Sequence, residues 1–485
     1  MNYDIWNAWK KEDVLANGVK IWHKKLATET ALLCVIVDAG SKFDGNVPGI
    51  AHFTEHMLFQ GTQKYPDEQI KFVAAENGIN MNAATSKEFL FVEASTILPD
   101  KIEVALDLCK ELVVNPVFPE DSFAREKKVV LSEIGDKEDA ALSLALENAR
   151  ASICDDIFKG SVLGTHESIK NSTIKDMASF HHATFSPERT TICYAGSLEL
   201  SDFVELCSKA FGSWNKSKPS WDMQPAKTPD PKNQIKKAHL SQTAVVVAYP
   251  GTKLESDDSL KLKILCDIIG GGAMVSRMFR ELRNKQGLCY FCTAMHQAFF
   301  NSQGLLAFCG SVSTNNAERF IEGLRTILQE VLSNHKITKK ELETSKTRMK
   351  SNMLGVLDNL SDAIDIFIYL WSGKGKRTLS DDMALIDQIT LEDIQAVAHK
   401  YLTQEPELFL VGNLENAAES LNMGLEGDYV QAPISAAPPP ANVDRPSPAA
   451  TSHAGGPNHK MPSYNPGNKK VENIDDILKK KSKKN

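Results

Sequence analysis

The sequence predicts an α+β fold of two homologous domains, each a mostly antiparallel sheet covered by helices. Apolar, strand-like runs such as ALLCVIVDA and AVVVAYP are followed by long helical patterns, and such grouping of strands and helices is typical of α+β proteins. A second observation is an internal repeat, because the stretch near residue 170 resembles the stretch near residue 390. A chain of 485 residues is also too long for one ordinary hydrophobic core.

The two copies of the repeat begin with the same helix-start pattern. Thr173 precedes Asp176 by three residues, and Thr390 precedes Asp393 in the same way, which is a variant of the capping box. Each predicted helix ends near a proline and leads into an apolar strand that a glycine terminates. The copies are separated by roughly the length of one large domain, so we interpret the chain as a duplicated unit.

Composition divides the chain into four parts. The polar, proline-containing segment 215–234 predicts a linker between an N-terminal domain (1–214) and a homologous C-terminal domain (235–427). From about residue 428 the chain is rich in Pro, Ala, Ser and Gly, which predicts a disordered tail (428–485). The lysine-rich end of that tail either binds an anionic partner or membrane surface or, as is commoner for such runs, only solubilises the chain.

Composition also argues against several classes of protein. The net charge of −7 is unlike the basic balance of general nucleic-acid binders. No apolar run has the length of a transmembrane helix, and the N-terminus lacks the apolar core of a signal peptide. The nine cysteines are scattered and odd in number, which favours free thiols in a reducing compartment. We therefore expect a cytoplasmic protein without nucleic-acid partners.

Cys289 and Cys292 form a C-x-x-C pattern inside a predicted strand, GLCYFCTA. Residues three apart on a regular strand point to opposite faces of the sheet. We therefore predict neither a metal site nor a redox site at these two cysteines.

The segment AHFTEHMLF, residues 51–59, carries a clear chemical signal. It follows a strand and a Gly/Pro turn, which predicts a helix that begins near residues 49–50. On such a helix His52 and His56 share one face, and Glu55 borders that face. The three are either surface polar groups of an amphipathic helix or part of a zinc site, because two imidazoles so placed can bind one ion. H-x-x-E-H is the inverted zincin motif, although so short a pattern also recurs by chance.

A third zinc ligand can be sought in the long helical pattern 120–153, because catalytic zinc usually has three protein ligands and one open position. Glu126 and Glu133 lie two helical turns apart there, on one face. This acidic stripe can supply a carboxylate if it points at the first helix. We interpret Glu138 and Glu147 instead as solvated glutamates of a charged helix.

With these motifs, the chain resembles the pitrilysin family of zinc peptidases, which includes insulinase and the mitochondrial processing peptidase. The resemblance implies that His52, His56 and Glu133 bind one zinc ion per chain. It also implies that Glu55 is the general base and that Glu126 supports the site from behind the ligands.

Two further segments carry the resemblance. The segment NAATSKEFLFVEAST, residues 82–96, is similar to the family's edge strand, to which substrate adds as an extra β-strand. This similarity implies a substrate-binding role for Asn82, Ala83, Ala84 and Thr85.

The segment GGGAMVSRMFRELRNKQGLCYFC, residues 270–292, is similar to the signature of the family's second half, with Met278 in place of a leucine. It implies that Arg283 grips substrate carbonyl or carboxylate groups and that Tyr290 donates a hydrogen bond to the oxyanion. Without the resemblance, these residues would be interpreted as a helix ion pair and a strand-surface aromatic residue.

The resemblance spans roughly residues 14–414 and implies a zinc-dependent endopeptidase or oligopeptidase that cleaves extended or unfolded peptides in a chamber formed by two chains. One alternative is a non-catalytic scaffold subunit of a heterodimeric processing peptidase, against which the intact zinc motif argues. Another is a binding protein recruited through the lysine-rich tail. Since one chain carries both the zinc motif and the Arg/Tyr pair, we expect a homodimer in which Arg283 and Tyr290 reach across from the partner chain.

Overall fold

The computed structural model describes residues 11–215, 230–271, 274–300, 302–333, 337–355, 360, 363–372 and 379–414. The predicted tail and most of the predicted linker lie outside these residues, so the domain boundaries remain predictions. The strands of the described part are β1 (Lys11–Val14), β2 (Lys20–Lys25), β3 (Ala31–Val37), β4 (Asn80–Thr85), β5 (Leu90–Ile97), β6 (Thr190–Gly196), β7 (Gln234–Lys236), β8 (Gln242–Pro250), β9 (Cys289–Phe299), β10 (Ser302–Ser313) and β11 (Glu407–Gly412).

Helices cover these strands. In chain order they are α1 (Ile50–Leu58), α2 (Gln69–Glu76), α3 (Ile102–Val114), α4 (Glu120–Asp139), α5 (Ala141–Ile153), α6 (Asp156–Lys159), α7 (His166–Asn171), α8 (Ile174–Thr184), α9 (Leu200–Phe211), α10 (Asp258–Gly270), α11 (Ala317–Leu332), α12 (Lys339–Gly355), α13 (Ala363–Ser372), α14 (Leu379–Gln388) and α15 (Leu391–Leu402). A π-helical turn, Phe279–Lys285, precedes β9. Within the described ranges, no helix combines the length and the apolarity needed to cross a bilayer.

The two sheets of the molecule share one strand order. The first runs β1-β2-β6-β3-β5-β4 and the second β7-β11-β8-β10-β9. Apart from β1, each sheet contains five strands from its own half of the chain. When these strands are numbered in chain order within their half, they lie side by side as first, fifth, second, fourth and third. The first and fifth strands pair in parallel in both sheets, and the remaining neighbours are antiparallel. The predicted duplication and the mostly antiparallel sheets are confirmed.

The predicted helix starts of the repeat are also found. The Asp176 carboxylate accepts from the Thr173 N–H at 2.8 Å and starts α8. The Asp393 carboxylate accepts from the Thr390 N–H at 2.9 Å and starts α15. Both pairs complete a reciprocal capping box, so each copy fixes the beginning of its helix by the same local chemistry.

Both faces of β3, in the middle of the first sheet, are buried, and the two faces belong to different cores. Along β3, side chains alternate between faces, so Leu33, Val35 and Val37 pack into a core formed with α1, α3, α4, α8 and α9. The opposite face, which includes Ile36, packs against Phe367 of α13. The strand therefore reads as a continuous apolar run instead of an alternating one.

The second sheet is covered in the corresponding way, by helices from both halves of the chain. Val245 and Val247 of β8 face helices of the second half. On the other face, Val246 packs with Ala145 and Ala149 of α5, a helix that comes from the first half. Each half thus covers a sheet face of the other with one of its helices, and the two halves are joined by two mixed apolar cores.

The long helical pattern 120–153 is two helices instead of one. Ala140 has φ −81° and ψ 84°, outside the helical region, so the chain changes direction between α4 and α5. This break lets α4 remain against the first sheet while α5 crosses to the second. Glu147 of α5 is not the solvated glutamate that we predicted, because it forms an ion pair with Lys137 and its side chain is only 18% exposed.

The prediction that Cys289 and Cys292 point to opposite faces is wrong. In β9, Phe291 pairs with Ser311 while Cys289 pairs with the next residue, Val312. Tyr290 is therefore an extra residue, which defines a β-bulge. From Cys289 to Cys292 the burial runs buried, exposed, exposed, buried, so both thiols face the buried side.

Candidate metal centre

The start of α1 is fixed by a buried carboxylate and a glycine. Asp44 accepts from the Gly49 N–H at 2.6 Å and from the Ala51 N–H at 3.1 Å. Gly49 has φ +88°, and a Cβ there would lie 2.4 Å from the Leu163 carbonyl oxygen, so only glycine fits. Burial raises the pKa of the Asp44 carboxyl to about 7. These contacts begin the helix at Ile50, as the sequence predicted.

His52 and His56 lie on one face of α1 and both face Glu133 of α4. The Glu133 Oε2 is 3.7 Å from His52 Nε2 and 3.4 Å from His56 Nε2. One ligand atom from each of these three residues can be chosen so that the three atoms lie within 4.8 Å of one another. In the part of the chain that the structure describes, no other group of three or more His, Cys, Asp or Glu residues meets this condition. His52 is only 3% exposed, so the cluster is closed on its inner side.

Glu126 lies behind the cluster and orients His56. Its Oε2 is 3.1 Å from His56 Nδ1, and its Oε1 accepts from Gln60 Nε2 at 3.1 Å. Because a carboxylate can only accept, Nδ1 carries the proton and Nε2 faces Glu133. A partner of this kind fixes both the tautomer and the ring orientation of a metal-binding histidine.

Gln60 was not predicted as part of the site. The signal that could have found it is its position four residues after His56, which places it beside that histidine where α1 ends. It is buried, and its amide holds the carboxylate that in turn holds the imidazole.

Glu55 borders the cluster and contacts the first sheet. Its Oε2 accepts from Thr85 Oγ1 at 2.6 Å, and Thr85 is the last residue of β4. Asn82, Ala83 and Ala84 lie on the same strand, which pairs with β5 and is the last strand of its sheet. The carboxylate and the open sheet edge are therefore next to each other.

The electrostatics of the cluster favour a bound cation. Burial lowers the pKa of His56, but hydrogen bonds to Glu126 and Glu133 outweigh it and raise the pKa to about 10. Without a metal, a proton on His56 therefore supplies the positive charge that the surrounding carboxylates require. Two imidazole nitrogens and one carboxylate oxygen are also a donor set that suits zinc, so the residues present fit this ion.

Arg283 and Tyr290 are brought together on the second sheet. The guanidinium of Arg283, in the π-helical turn, lies 4.7 Å from the centroid of the Tyr290 ring and 4.4 Å from that of Phe279. Tyr290 is 77% exposed. Arg283 therefore stacks between aromatic rings, in a cation–π arrangement. The histidines and glutamates, by contrast, lie on helices that cover the first sheet.

Two models of one peptidase family match the chain. The model described as "Insulinase (Peptidase family M16)" matches residues 21–166, which include the H-x-x-E-H motif and Glu133. The model described as "Peptidase M16 inactive domain" matches residues 171–349.

Curated relatives carry related names. An uncharacterized zinc protease, YmxG of Bacillus subtilis, is 26% identical over 404 residues, which are 81% of this chain and 96% of that protein. A probable mitochondrial-processing peptidase subunit beta of Arabidopsis thaliana is 24% identical over 405 residues, 80% of this chain and 75% of that protein.

Solved structures share the fold, and the family assignment follows from the matches together. A protease from Helicobacter pylori superposes with a TM-score of 0.75 at 21% identity, covering 83% of this chain and 98% of its own. An M16 inactive domain from Pseudomonas fluorescens gives a TM-score of 0.73 at 22% identity, with coverage of 83% and 98%. The chain is a member of peptidase family M16, the insulinase or pitrilysin family.

Proposed function

We propose that this chain is a zinc-dependent peptidase that hydrolyses extended or unfolded peptides. The observation that carries the proposal is the approach of the Glu133 carboxylate to the Nε2 atoms of His52 and His56, with a separate carboxylate, Glu55, beside them. Three ligands leave the fourth position of a tetrahedral ion open, which is typical of catalytic sites and unlike structural ones.

In this proposal His52, His56 and Glu133 hold one zinc ion per chain, and Glu126 keeps His56 in the ligating tautomer. Bound zinc supplies Lewis acidity, which polarises a peptide carbonyl and makes water more acidic. Glu126 accepts from the His56 imidazole and Gln60 donates to Glu126, so in this proposal both are positioning residues.

Glu55 is the proposed general base. The hydrogen bond from Thr85 to its Oε2 fixes the carboxylate beside the histidines, where it can take a proton from the attacking water. The same carboxyl group then gives that proton to the leaving amine. Glu55 would thus act as base and acid in sequence.

The edge of β4 is the proposed substrate site. An extended peptide that pairs with Asn82, Ala83, Ala84 and Thr85 would bind through backbone hydrogen bonds, which any sequence can make. Because Thr85 also contacts Glu55, a peptide on this edge would lie next to the base. We therefore expect loose sequence selectivity and exclusion of folded proteins.

We also propose that the chain works as a homodimer, with Arg283 and Tyr290 completing the partner's site. The exposed Tyr290 phenol can donate a hydrogen bond to a developing oxyanion, and Arg283 can bind substrate carbonyl or carboxylate groups. The large exposed fraction of Tyr290 leaves it available to a second chain. A reducing, cytoplasmic location is part of the proposal, and the nine free, buried cysteines support it.

Replacing Glu55 by Gln should abolish most of the activity but retain the metal. The amide keeps the size of the side chain but cannot take a proton, so cleavage of a mixed peptide library should fall by about 10²–10⁴-fold, while zinc remains near one per chain. Mass spectrometry of the products and metal analysis of the same samples measure both. Equal cleavage by the variant would indicate a contaminating protease, and zinc binding without cleavage by the wild type would favour the scaffold alternative.

Replacing Glu133 by Ala should remove the metal. Loss of an outer partner of a ligand costs about 10–100-fold in metal affinity, so loss of a ligand should cost about 100-fold or more. Glu138→Ala is the matched control, since Glu138 lies on the same helix and is 49% exposed. A competition titration with a zinc-sensitive dye measures both affinities without needing activity. An unchanged zinc affinity in Glu133→Ala would show that Glu133 is not a zinc ligand.

A mixture of two inactive chains tests the homodimer. If Arg283 acts in the partner's site, a mixed dimer of a Glu55→Gln chain and an Arg283→Ala chain contains one intact site. Because half of the dimers are mixed when co-expressed chains pair at random, they should recover about a quarter of wild-type activity. Each variant expressed alone is the control. No recovery in isolated mixed dimers, or a protein that sediments only as a monomer at micromolar concentration, would contradict the proposal.

A further inference from the structure

The two cysteines beside Tyr290 form a pair that the proposed reaction does not use. The bulge at Tyr290 turns Cys289 and Cys292 to the same side of β9. The thiols are joined by a side-chain hydrogen bond, and they are 8% and 7% exposed. A disulfide between them would bring the two sulfurs to about 2.05 Å from each other.

A second pair of neighbouring cysteines in this chain, Cys34 and Cys193, can be compared with Cys289 and Cys292. Cys34 and Cys193 lie directly opposite each other on β3 and β6, and both are fully buried. Burial raises the pKa of the Cys34 thiol well above its ordinary value. The hydrogen bond between Cys289 and Cys292 lowers the pKa of the Cys289 thiol and raises the pKa of the Cys292 thiol, while burial raises and the nearby Arg283 lowers the pKa of both. Since the thiolate is the reactive form, Cys289 is the attacking thiol of the pair, and it is 8% exposed whereas Cys34 and Cys193 are fully buried.

The backbone connects this pair directly to Arg283. The Leu288 N–H donates to the Leu282 carbonyl at 2.9 Å, and the Gly287 N–H donates to the Arg283 carbonyl at 3.0 Å. Gly287 has φ +63°, a conformation that glycine adopts without strain. The π-helical turn, this glycine and the bulge form a continuous segment, so drawing the two sulfurs together must move Tyr290, which lies between them.

We propose that Cys289 and Cys292 are a redox-sensitive dithiol whose disulfide moves Tyr290 and Arg283 out of their stacked arrangement. The oxidant is a small-molecule disulfide such as oxidised glutathione. The Cys289 thiolate attacks one sulfur of the oxidant and releases one thiolate. Cys292 then loses its proton to solvent, attacks the Cys289 sulfur and releases the second thiol. Two protein thiols are thereby oxidised and one disulfide molecule is reduced to two thiols.

The expected effect on peptide cleavage rests on the proposed function, but formation of the disulfide does not. If Tyr290 and Arg283 contribute to the reaction, the oxidised chain cleaves peptides at least about 10-fold more slowly. A reducing agent restores the original rate, because the disulfide is the covalent change that causes the loss.

The test uses the full-length chain equilibrated with oxidised glutathione, trapped and mapped by mass spectrometry. We expect the peptide that contains Cys289 and Cys292 to lose about 2 Da while Cys34 and Cys193 stay reduced. In Cys292→Ser, a glutathione adduct should accumulate on Cys289, and in Cys289→Ser no internal disulfide should form. Absence of the disulfide in wild type, or equal oxidation of Cys34 and Cys193, would overturn the proposal.

Hydrogen exchange of residues 279–299 gives a second measurement that does not depend on activity. We expect the exchange of amides around Gly287 and Tyr290 to change on oxidation and to return on reduction, and to stay constant in Cys292→Ser. Unchanged exchange in fully oxidised wild type would refute the conformational part. A chain that shows the disulfide and the exchange change but never cleaves peptides would count against the proposed function alone.

Discussion

The approach of Glu133 to the two imidazoles of α1 is the interaction on which the candidate site depends. Three carboxylates, Glu55, Glu126 and Glu133, surround His56, and such a group is stable inside a protein only with compensating positive charge. In the metal-free chain that charge is a proton, as the raised pKa of His56 indicates. A divalent cation can take its place, because the Nε2 atoms already face the carboxylate. The carboxylates of the site thus require a positive charge, and the side chains that face one another are suitable ligands for a metal ion that would supply it.

The packing of α1 on α4 makes this approach possible. Phe53 of α1 stacks on Phe123 of α4, with ring centroids 4.7 Å apart, and Val130 lies in the same core as Met57. At about 100° per residue, these apolar side chains lie on the faces next to the ligand faces of the two helices, so the helices pack against each other beside the site. Asp44 fixes the start of α1, so the rotation of the helix, and with it the direction of both histidines, is determined from two sides.

Duplication explains how one fold carries two different groups of functional candidates. The strand that ends beside Glu55, β4, and the strand that carries Tyr290, β9, occupy the same edge position in their respective sheets. The exchange of α5 and α13 between the halves holds the two sheets in one compact unit. The zinc motif occurs in the first copy only, so the second copy has kept the architecture with other side chains at the corresponding edge.

Much of this organisation was predictable from the sequence. The remainder was not predictable, and the reasons are physical. The helix of the H-x-x-E-H motif and its start follow from a turn and a periodic pattern. The helical pattern offered Glu126 and Glu133 as candidates for the third ligand, and only the family resemblance chose Glu133, because tertiary packing and not sequence spacing brings it to the histidines. The break at Ala140 has no local signal, since alanine is the best helix former. The bulge at Tyr290 is a property of strand register, and the period-two rule that we applied to the cysteines fails wherever a bulge occurs.

The most direct test of the account is zinc X-ray absorption on the purified chain. Two imidazole nitrogens and carboxylate or water oxygens at about 2.0–2.2 Å are the first shell that His52, His56 and Glu133 would provide. A first shell with sulfur at about 2.3 Å, or one without the multiple-scattering pattern of imidazole, would place the ion elsewhere and contradict the central claim.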